Sequence, residues 1–468
     1  MTKRSLPQNE RASRRDFIRA SSLWFAGGAV GGGLAVARAA HAFGSDVIKI
    51  GLIGCGTRGT AAAVQALNTA RNTDRQPNGS VQLVALGDVF ADRLHQSYRT
   101  IKGRHAASVD APAERQFAGF DAYQRVLDCD VDLVLLATPP AFRPLHFEAA
   151  VQAGKHVFLE KPLATDPAGV RRVLAANAEA KPKGLLVAVG LQRRHERRYQ
   201  ETIRRLWDGA IGEILILRVY WNSRGVAVRP RQPRWTELEY QLRNWGQFNW
   251  LSGDHIVEQH IHNLDVGNWL LRAAPVQCNG QGGRAVRATP TGDVFDQHFV
   301  EYTYASGVRM FSQCRHVAGC WDCVAEHAHG TAGSADISGG KIYDRSGSLV
   351  WSSKGSGAGQ QAEQDDLFAA LRRGQHHNEA DDGAASTLTA ILGRMASYSG
   401  QVVQWEEALQ ADLPLADVDR LRSLADAAPV QPDQHGQYAA ALPGAPGQAT
   451  ASRTLRPETG TGPVRWRT

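Results

Sequence analysis

The amino-acid sequence predicts an α/β protein with an N-terminal doubly wound parallel sheet and a C-terminal α+β domain that contains a large, mostly antiparallel sheet. Between residues 46 and 190, short apolar runs alternate with stretches of helical spacing, which is typical of buried parallel strands covered by helices. Between residues 191 and 428, longer runs alternate apolar with polar residues, as expected for a sheet with one open face. With 468 residues, 43% of them hydrophobic, the chain can bury the cores of both domains.

Residues 1–42 predict a targeting segment. Ser13 to Ile18 form a twin-arginine pattern, an apolar, glycine-rich stretch from Leu23 to Ala37 follows, and Ala40 to Ala42 offer a small-residue cleavage site. Twin-arginine export carries folded proteins, so we expect the export machinery as a partner and a periplasmic or other extracytoplasmic location. The apolar stretch is too short and too rich in glycine to favour a spanning helix, and the sequence predicts no stable membrane span elsewhere.

The net charge of +7 at neutral pH does not predict a nucleic-acid partner. Residues 1–42 carry +5 of this charge, which leaves about +2 for the rest of the chain. The six cysteines are too few for a disulfide scaffold of this length.

Five buried parallel strands are expected in the first domain, at Val47 to Ile53, Val81 to Leu86, Val131 to Ala137, Val157 to Leu159 and Leu185 to Val189. The antiparallel sheet is expected to include Ile214 to Tyr220, Phe299 to Tyr304 and Val308 to Cys314, and a helix is expected from Asp381 to Tyr398. Residues 429–468 are rich in Pro, Gly, Ala and Gln without apolar periodicity, which predicts a poorly ordered tail.

A glycine-rich turn follows the first predicted strand and precedes the helical run from Thr60 to Leu67. Its sequence is Gly54-Cys55-Gly56-Thr57-Arg58-Gly59. The first glycine permits a tight turn, the second lets the backbone approach a pyrophosphate, and the third lets helix and strand pack closely. Because the helix N-terminus then stabilises the phosphates, we expect this turn, including Thr57 and Arg58, to bind a dinucleotide.

Asp88 ends the second predicted strand, where a carboxylate accepts hydrogen bonds from the adenosine ribose hydroxyls. A 2′-phosphate would meet this negative charge, so the sequence favours NAD over NADP. Arg93 is near enough in sequence to reach a 2′-phosphate, and NADP therefore remains open.

Two further motifs point to a known family. One strand leads into Thr138-Pro139-Pro140, and the next leads into Glu160-Lys161-Pro162. Over roughly residues 46–410 the sequence resembles the glucose-fructose oxidoreductase/inositol dehydrogenase family, called Gfo/Idh/MocA. In that family the Glu-Lys-Pro segment closes the Rossmann domain at the nicotinamide. The resemblance therefore implies cofactor contacts by Thr138, Pro139, Glu160 and Lys161.

The family's second signature is an acidic residue, a histidine four positions later and an aspartate three beyond that. Glu258, His262 and Asp265 stand at these positions, and the spacing predicts that all three lie on one helical face. The resemblance implies that His262 is the acid/base, that Lys161 stabilises the developing alkoxide, and that Glu258 orients or supplements His262.

This sequence departs from the simplest family pattern at two positions. Glu258 stands where an Asp is common, and His260 stands where a Gly is common. His260 is therefore a candidate substrate ligand or alternative base. The histidines around Glu258 also raise a metal hypothesis, because imidazole and carboxylate suit zinc. Hydride transfer needs no metal and the resemblance already assigns these positions, so we expect none.

Further candidate substrate contacts come from position and composition. Gln192 and Arg193 follow the last parallel strand, at the sheet edge where ligands bind in open α/β sheets. Trp221 and Tyr240 are aromatic residues suited to stacking on a sugar ring. Asp265 is also a candidate substrate contact, because it is the aspartate of the family's second signature. Surface charge for the first pair, and core packing for the aromatic pair, remain open alternatives.

The resemblance implies an NAD(P)-dependent oxidoreductase that transfers hydride to or from a sugar, polyol or glycoside. Because the targeting segment predicts export to a place without a diffusible NAD pool, the cofactor is expected to stay bound. Two alternatives remain open. One is NAD-dependent glycoside hydrolysis through a transient 3-keto sugar, and the other is a non-catalytic sugar-binding protein. In this family the antiparallel sheet commonly forms the subunit interface, so a homodimer or homotetramer is expected.

Overall fold

The computed structural model describes residues 47–70, 80–286, 291–355 and 357–444, which belong to one compact unit. The predicted targeting segment, residues 1–42, lies outside the described residues. No helix within the described ranges is long and apolar enough to cross a membrane.

The first sheet has six parallel strands in the order β3-β2-β1-β4-β5-β6. Its strands are β1 Val47–Ile53, β2 Ser80–Asp88, β3 Gln116–Ala118, β4 Leu133–Leu136, β5 His156–Leu159 and β6 Val187–Val189. The five predicted strands are confirmed. The short edge strand β3 escaped prediction because three residues carry no readable periodicity. The strand order reverses direction between β1 and β4, and in open α/β sheets this is the place where ligands bind.

Helices cover both faces of this sheet. They are α1 Thr57–Asn68, α2 Ala91–Arg104, α3 Ala122–Leu127, α4 Arg143–Gln152 and α5 Pro167–Ala180. Helix α1 begins directly after Gly56, in the turn that follows β1. Strands β4, β5 and β6 are buried almost throughout, which explains their continuous apolar sequences.

The second sheet has nine strands in the order β14-β13-β12-β11-β7-β10-β9-β8-β15. They are β7 Ile214–Ser223, β8 Gln277–Gly283, β9 Gln297–Thr303, β10 Arg309–His316, β11 Cys323–Gly330, β12 Gly333–Asp336, β13 Lys341–Asp344, β14 Leu349–Ser352 and β15 Val403–Gln404. The pairing is antiparallel except between β7 and β10, so the predicted mostly antiparallel sheet is confirmed.

The remaining helices lie between and after the strands of the second sheet. They are α6 Arg197–Trp207, α7 Glu237–Arg243, α8 Asn249–Ser252, α9 His255–Glu258, α10 Ile261–Leu271, α11 Gly359–Arg373, α12 Ala380–Ser399 and α13 Trp405–Gln410. The predicted helix from Asp381 to Tyr398 is thus part of α12. Buried and more exposed residues alternate along β9, which leaves one face of this sheet open.

The end of the chain returns to the first domain. Leu367, Phe368 and Leu371 of α11 are buried in the same apolar cluster as β1 and α1. A backbone bridge also joins Val187 of β6 to Asn378. The predicted division at residues 190 and 191 therefore separates the two sheets, but later residues complete the core of the first.

The expectation of a poorly ordered tail from residue 429 is wrong for residues 429–444. Tyr438 is 3% exposed and belongs to a buried cluster with Phe90, Phe142 and Phe248. Single apolar side chains anchor this segment, and isolated anchors leave no periodic signal in the sequence. Residues 445–468 lie outside the described residues.

Replacing Gly393 by alanine is expected to destabilise the packing of α12 on the second sheet. A Cβ at this position would lie 2.0 Å from Oη of the fully buried Tyr302. We expect Gly393→Ala to lower the free energy of unfolding by about 1–3 kcal/mol, measured by chemical denaturation.

The matched control is Gly103→Ala, in the exposed last turn of α2, where an added Cβ meets no atom within 4 Å. There alanine should stabilise the helix by roughly 0.5–1 kcal/mol. Equal effects of the two substitutions would contradict the close packing between α12 and β9.

Candidate active site

The glycine-rich turn has the geometry of a dinucleotide-binding loop. Gly54 has a φ of +98°, and a Cβ at this position would lie 2.6 Å from the backbone of Ala137. A Cβ at Gly59 would lie 1.8 Å from the carbonyl oxygen of Gly54. At Gly56, by contrast, an added Cβ meets nothing within 4 Å. The turn therefore leaves open space at the start of α1, where a pyrophosphate fits.

A cavity of about 860 Å³ extends from this turn along the carboxyl edge of the first sheet. Asp88 lies on its wall, with Oδ2 accepting from the Cys55 N–H at 2.6 Å and Oδ1 from the Phe90 N–H at 2.8 Å. Burial raises the pKa of Asp88, and the two backbone donors counteract this effect. Thr138 and Pro139 line the same cavity, together with Thr57 and Arg58. Its volume and lining fit the adenosine half of NAD.

Arg58 connects the glycine-rich turn to two buried carboxylates. Its Nε donates to Glu160, and its Nη2 donates to Oε1 of Glu363 at 2.8 Å. Glu160 Oε2 in turn accepts from the backbone N–H of Lys161 at 3.1 Å. The charged groups of Arg58 and Glu160, two predicted cofactor contacts, therefore bind each other. Glu363 of α11 was missed because nothing in its local sequence distinguishes it.

Lys161 and Glu258 bind each other, whereas the resemblance implied that Glu258 orients or supplements His262. Lys161 Nζ lies 3.0 Å from Glu258 Oε1 and also donates to the Glu258 carbonyl oxygen. Both side chains are partly exposed, at 13% and 20%. The ammonium group is thus held in place without being sealed from a ligand.

His262 lies close to this pair as a buried imidazole. Its ring stacks on Trp221, with centroids 6.1 Å apart and planes at 23°. Burial lowers the pKa of His262 well below its usual 6.5, and the positive charges of Lys161, Arg193 and Arg58 lower it further. The ring is therefore neutral at neutral pH, the state in which it can accept a proton.

The prediction of one continuous helical face is wrong. Helix α9 ends at Glu258 and α10 begins at Ile261, so a break separates Glu258 from His262. Asp265 lies on α10 with 1% exposure and accepts from both Nε and Nη2 of Arg194 and from the Ser386 hydroxyl. These partners occupy the Asp265 carboxylate, so the prediction that Asp265 contacts the substrate is wrong. Asp265 instead forms a buried ion pair with Arg194.

The predictions that His260 and Tyr240 contact the substrate are also wrong. His260 is fully buried, its Nε2 lies 2.7 Å from Ser312 Oγ, and burial lowers its pKa to about 3. Tyr240 packs edge-on against Phe248 in an apolar cluster, with the Arg231 guanidinium 3.9 Å from its ring. Both residues are held by protein partners because the break before α10 and the packing of α7 turn them inward.

Arg193, Trp221 and Gln192 remain candidates for substrate contact. The Arg193 guanidinium lies 5.9 Å from the Trp221 ring and pairs with the buried carboxylate of Glu326 on β11. Gln192 begins the short 3₁₀ helix that follows β6. Sequence reasoning missed Glu326, which also accepts from Tyr199 and Asn263 and so fixes the wall beside His262.

One group among the described residues has metal-like spacing: ligand atoms of Asp254, His255 and His298 lie within 4.8 Å of one another. Protein donors already occupy both Asp254 oxygens. Oδ1 accepts from the His255 ring at 2.7 Å, and Oδ2 accepts from Tyr398 Oη at 2.7 Å and from the Phe295 N–H at 2.9 Å. We interpret this group as a buried support for α9, the helix that carries Glu258.

Replacing Asp265 by asparagine should reduce stability rather than substrate affinity. The change leaves the largely buried Arg194 without its main counter-charge, so we expect the free energy of unfolding to fall by about 3 kcal/mol. Chemical denaturation measures this loss. The control Lys181→Ala removes an exposed pair with Asp381 and should cost under about 1 kcal/mol. A raised KM with unchanged stability would restore Asp265 as a substrate contact.

Known proteins resemble this chain in both sequence and structure. The family model described as "Oxidoreductase family, NAD-binding Rossmann fold" (GFO_IDH_MocA) matches residues 48–190. Inositol 2-dehydrogenase 4 of Saccharopolyspora erythraea is 29% identical over 239 residues, which cover 49% of this chain and 64% of that protein. Inositol 2-dehydrogenase of Klebsiella pneumoniae is 30% identical over 227 residues, which cover 48% and 54%. These matches span less than two thirds of the relatives' length.

Solved structures show the same fold. Levoglucosan dehydrogenase in complex with NADH superposes with a TM-score of 0.61 at 19% identity, over 76% of this chain and 99% of that one. The aldose-aldose oxidoreductase of Caulobacter crescentus, complexed with glycerol, gives 0.57 at 19% identity with the same coverage. Residues 48–190 are thus similar to the Gfo/Idh/MocA oxidoreductase family and have its NAD-binding Rossmann fold.

Proposed function

We propose that this protein is an NAD(H)-dependent dehydrogenase that oxidises or reduces a CH–OH group of a sugar, polyol or glycoside. The observation that carries the proposal is the meeting of Lys161, Glu258 and a neutral His262 next to the residues that hold the cofactor. The names of the relatives, inositol 2-dehydrogenases and a levoglucosan dehydrogenase, support a polyhydroxylated substrate.

Each of the three side chains has a distinct task in alcohol oxidation. Bound NAD⁺ supplies the hydride acceptor. His262 takes the hydroxyl proton, which its depressed pKa allows at neutral pH. The Lys161 ammonium stabilises the negative charge that develops on the substrate oxygen, and Glu258 holds that ammonium in position. Trp221 offers an aromatic surface beside His262 on which a sugar ring can stack.

Export is part of the proposal. The twin-arginine pattern from Ser13 to Ile18 supports transport of the folded, cofactor-loaded protein out of the cytoplasm. Outside the cytoplasm no diffusible NAD pool is expected. The cofactor would then stay bound and be regenerated by a second substrate at the same site.

We also propose that the protein forms a homo-oligomer through the open face of the second sheet. Ile216 of β7 and Phe299 of β9 are exposed on this face, and the exposed Trp321, in the turn between β10 and β11, packs edge-on against Tyr220. Exposed apolar patches of this kind are typical of subunit interfaces.

Replacing Lys161 by alanine tests the catalytic assignment. Loss of the ammonium should reduce kcat/KM by about 10²–10³-fold, because the developing alkoxide loses its main electrostatic partner. NADH formation with a panel of sugars and polyols, including inositol, measures the activity. NADH binding followed by fluorescence should change little.

The control is Lys183→Ala, a partly exposed lysine before β6, which should retain full activity. Full activity of the Lys161→Ala variant would refute the mechanism. Release of a free sugar from a glycoside without net NADH formation would instead indicate hydrolysis through a transient keto sugar.

The pH dependence of oxidation tests the neutral state of His262. A base whose pKa is lowered stays deprotonated to lower pH, so its activity persists further into the acid range. We expect kcat/KM for alcohol oxidation to stay flat as the pH falls through 6.5, with the acid limb below that value. An acid limb centred on 6.5 or above would contradict the burial of His262 among positive charges.

A further inference from the structure

The outer wall of the nucleotide cavity comes from the second half of the chain. Arg229, Leu242, Arg243 and Trp245 line the cavity opposite the glycine-rich turn. They belong to the segment between β7 and α8. We call the stretch from Arg229 to Trp245 the outer wall. Neither its sequence nor its position in the chain marks it as part of a nucleotide site.

Arg243 docks the outer wall onto the ribose end of the cavity. Its Nη1 and Nη2 donate to the two carboxylate oxygens of Asp92 at 3.1 and 3.3 Å. Its guanidinium also lies 3.9 Å from the ring centroid of Phe90, two residues after Asp88. Glu239 on the same helix holds Nε at 2.8 Å, so the arginine is fixed from both sides. These contacts of Arg243 therefore lie near Asp88, the carboxylate expected to bind the ribose hydroxyls.

The last described residues, 412–444, form a strap over the outer wall. Tyr438 Oη donates to Glu237 Oε1 at 2.6 Å and accepts from Arg231 at 2.9 Å, and its ring packs edge-on against Phe248. Gln241 also donates to a strap carbonyl oxygen, that of Val430.

The strap is attached to the first domain at its other end. Arg172 of α5 contacts both carboxylate oxygens of Asp419 at 2.9 Å. The backbone N–H of Leu415 donates to Asp166 Oδ2 at 2.9 Å. The strap therefore ties the outer wall to the nucleotide-binding domain.

The charge of the cavity fits an anion enclosed by this wall. Besides Arg58, which pairs with Glu160 and Glu363, four arginines line it, Arg93, Arg104, Arg229 and Arg243, against the two carboxylates of Asp88 and Asp92. Burial lowers the pKa of Arg93, the carboxylate of Asp88 partly opposes this effect, and the charges of Arg229 and Arg243 add to it. An anionic ligand bound in the cavity would reduce the mutual repulsion among these cations.

We propose that the outer wall and the strap form an adenosine clamp that has to open before the dinucleotide can leave. The clamp makes cofactor release slow and so retains NAD(H) through repeated turnovers. This inference rests on the proposed function in that the ligand is NAD(H), but it does not depend on which sugar is oxidised.

The test is the rate of NADH release from the full-length protein. The protein is loaded with NADH and mixed with excess NAD⁺, and the loss of bound NADH fluorescence is followed. Tyr438→Ala should speed release by about tenfold or more, because it removes hydrogen bonds to charged groups that hold the clamp closed. Tyr438 does not line the cavity, so this effect cannot come from a lost contact with the nucleotide.

Two substitutions of Arg243 separate the effect of its paired contact with Asp92 from the effect of its positive charge. Arg243→Ala should also speed release by at least about tenfold, and Arg243→Lys should fall between it and the wild type, since lysine keeps the charge but loses the paired contact with Asp92. The control Arg115→Ala breaks a similar pair, with Asp110, away from the cavity and should leave the rate unchanged. Tyr438→Phe, which loses only the hydroxyl bonds, replaces Tyr438→Ala if that variant does not fold.

The outcomes distinguish the clamp from the proposed function. Release rates equal to wild type in the Tyr438 and Arg243 variants overturn the clamp, even if dehydrogenase activity is present. A wild-type protein that binds no NADH overturns both. Slow release that the variants accelerate supports the clamp, even if no tested sugar is oxidised.

Discussion

The arginine of the glycine-rich turn organises the whole site. Arg58 is held between Glu160 and Glu363, two buried carboxylates that lie 102 and 305 residues away in the chain. A charge in a dry environment is stable only with well-placed partners, and removing one partner leaves the others uncompensated. This constraint fixes the turn that approaches the pyrophosphate relative to the strand end that carries Lys161. One side chain therefore connects the glycine-rich turn to Glu160, the residue before Lys161.

A second balance of charges surrounds His262. Lys161 and Arg193 bring positive charge toward the imidazole. Glu258 pairs with Lys161, and Glu326 pairs with Arg193. Burial keeps the His262 ring neutral and the positive charges add to this effect, while the carboxylates anchor the cations in place. A neutral histidine beside a charged lysine is the arrangement that moves a proton and stabilises an oxyanion at the same time.

Both halves of the chain contribute residues to the cofactor site and to the expected substrate site. The first domain supplies the glycine-rich turn, Asp88 and Lys161, and the second supplies Glu258 and His262. Helix α11 then returns to complete the core of the first domain, and residues 229–245 close its cavity. Such interleaving couples the position of the cofactor to that of the substrate, because neither site is complete within one half.

The sequence by itself determined the features that depend on local backbone geometry. The two sheets and the glycine-rich turn could be predicted, since strand periodicity and glycine conformations leave their mark within a few residues, whereas the roles of Lys161, Glu258 and His262 stay predictions. Only the tertiary structure decided where Asp265, His260 and Tyr240 point, and that Glu363, Glu326, Arg243 and Tyr438 matter. The partners of these side chains lie far away in the chain, so their burial and pairing arise only when distant segments pack together.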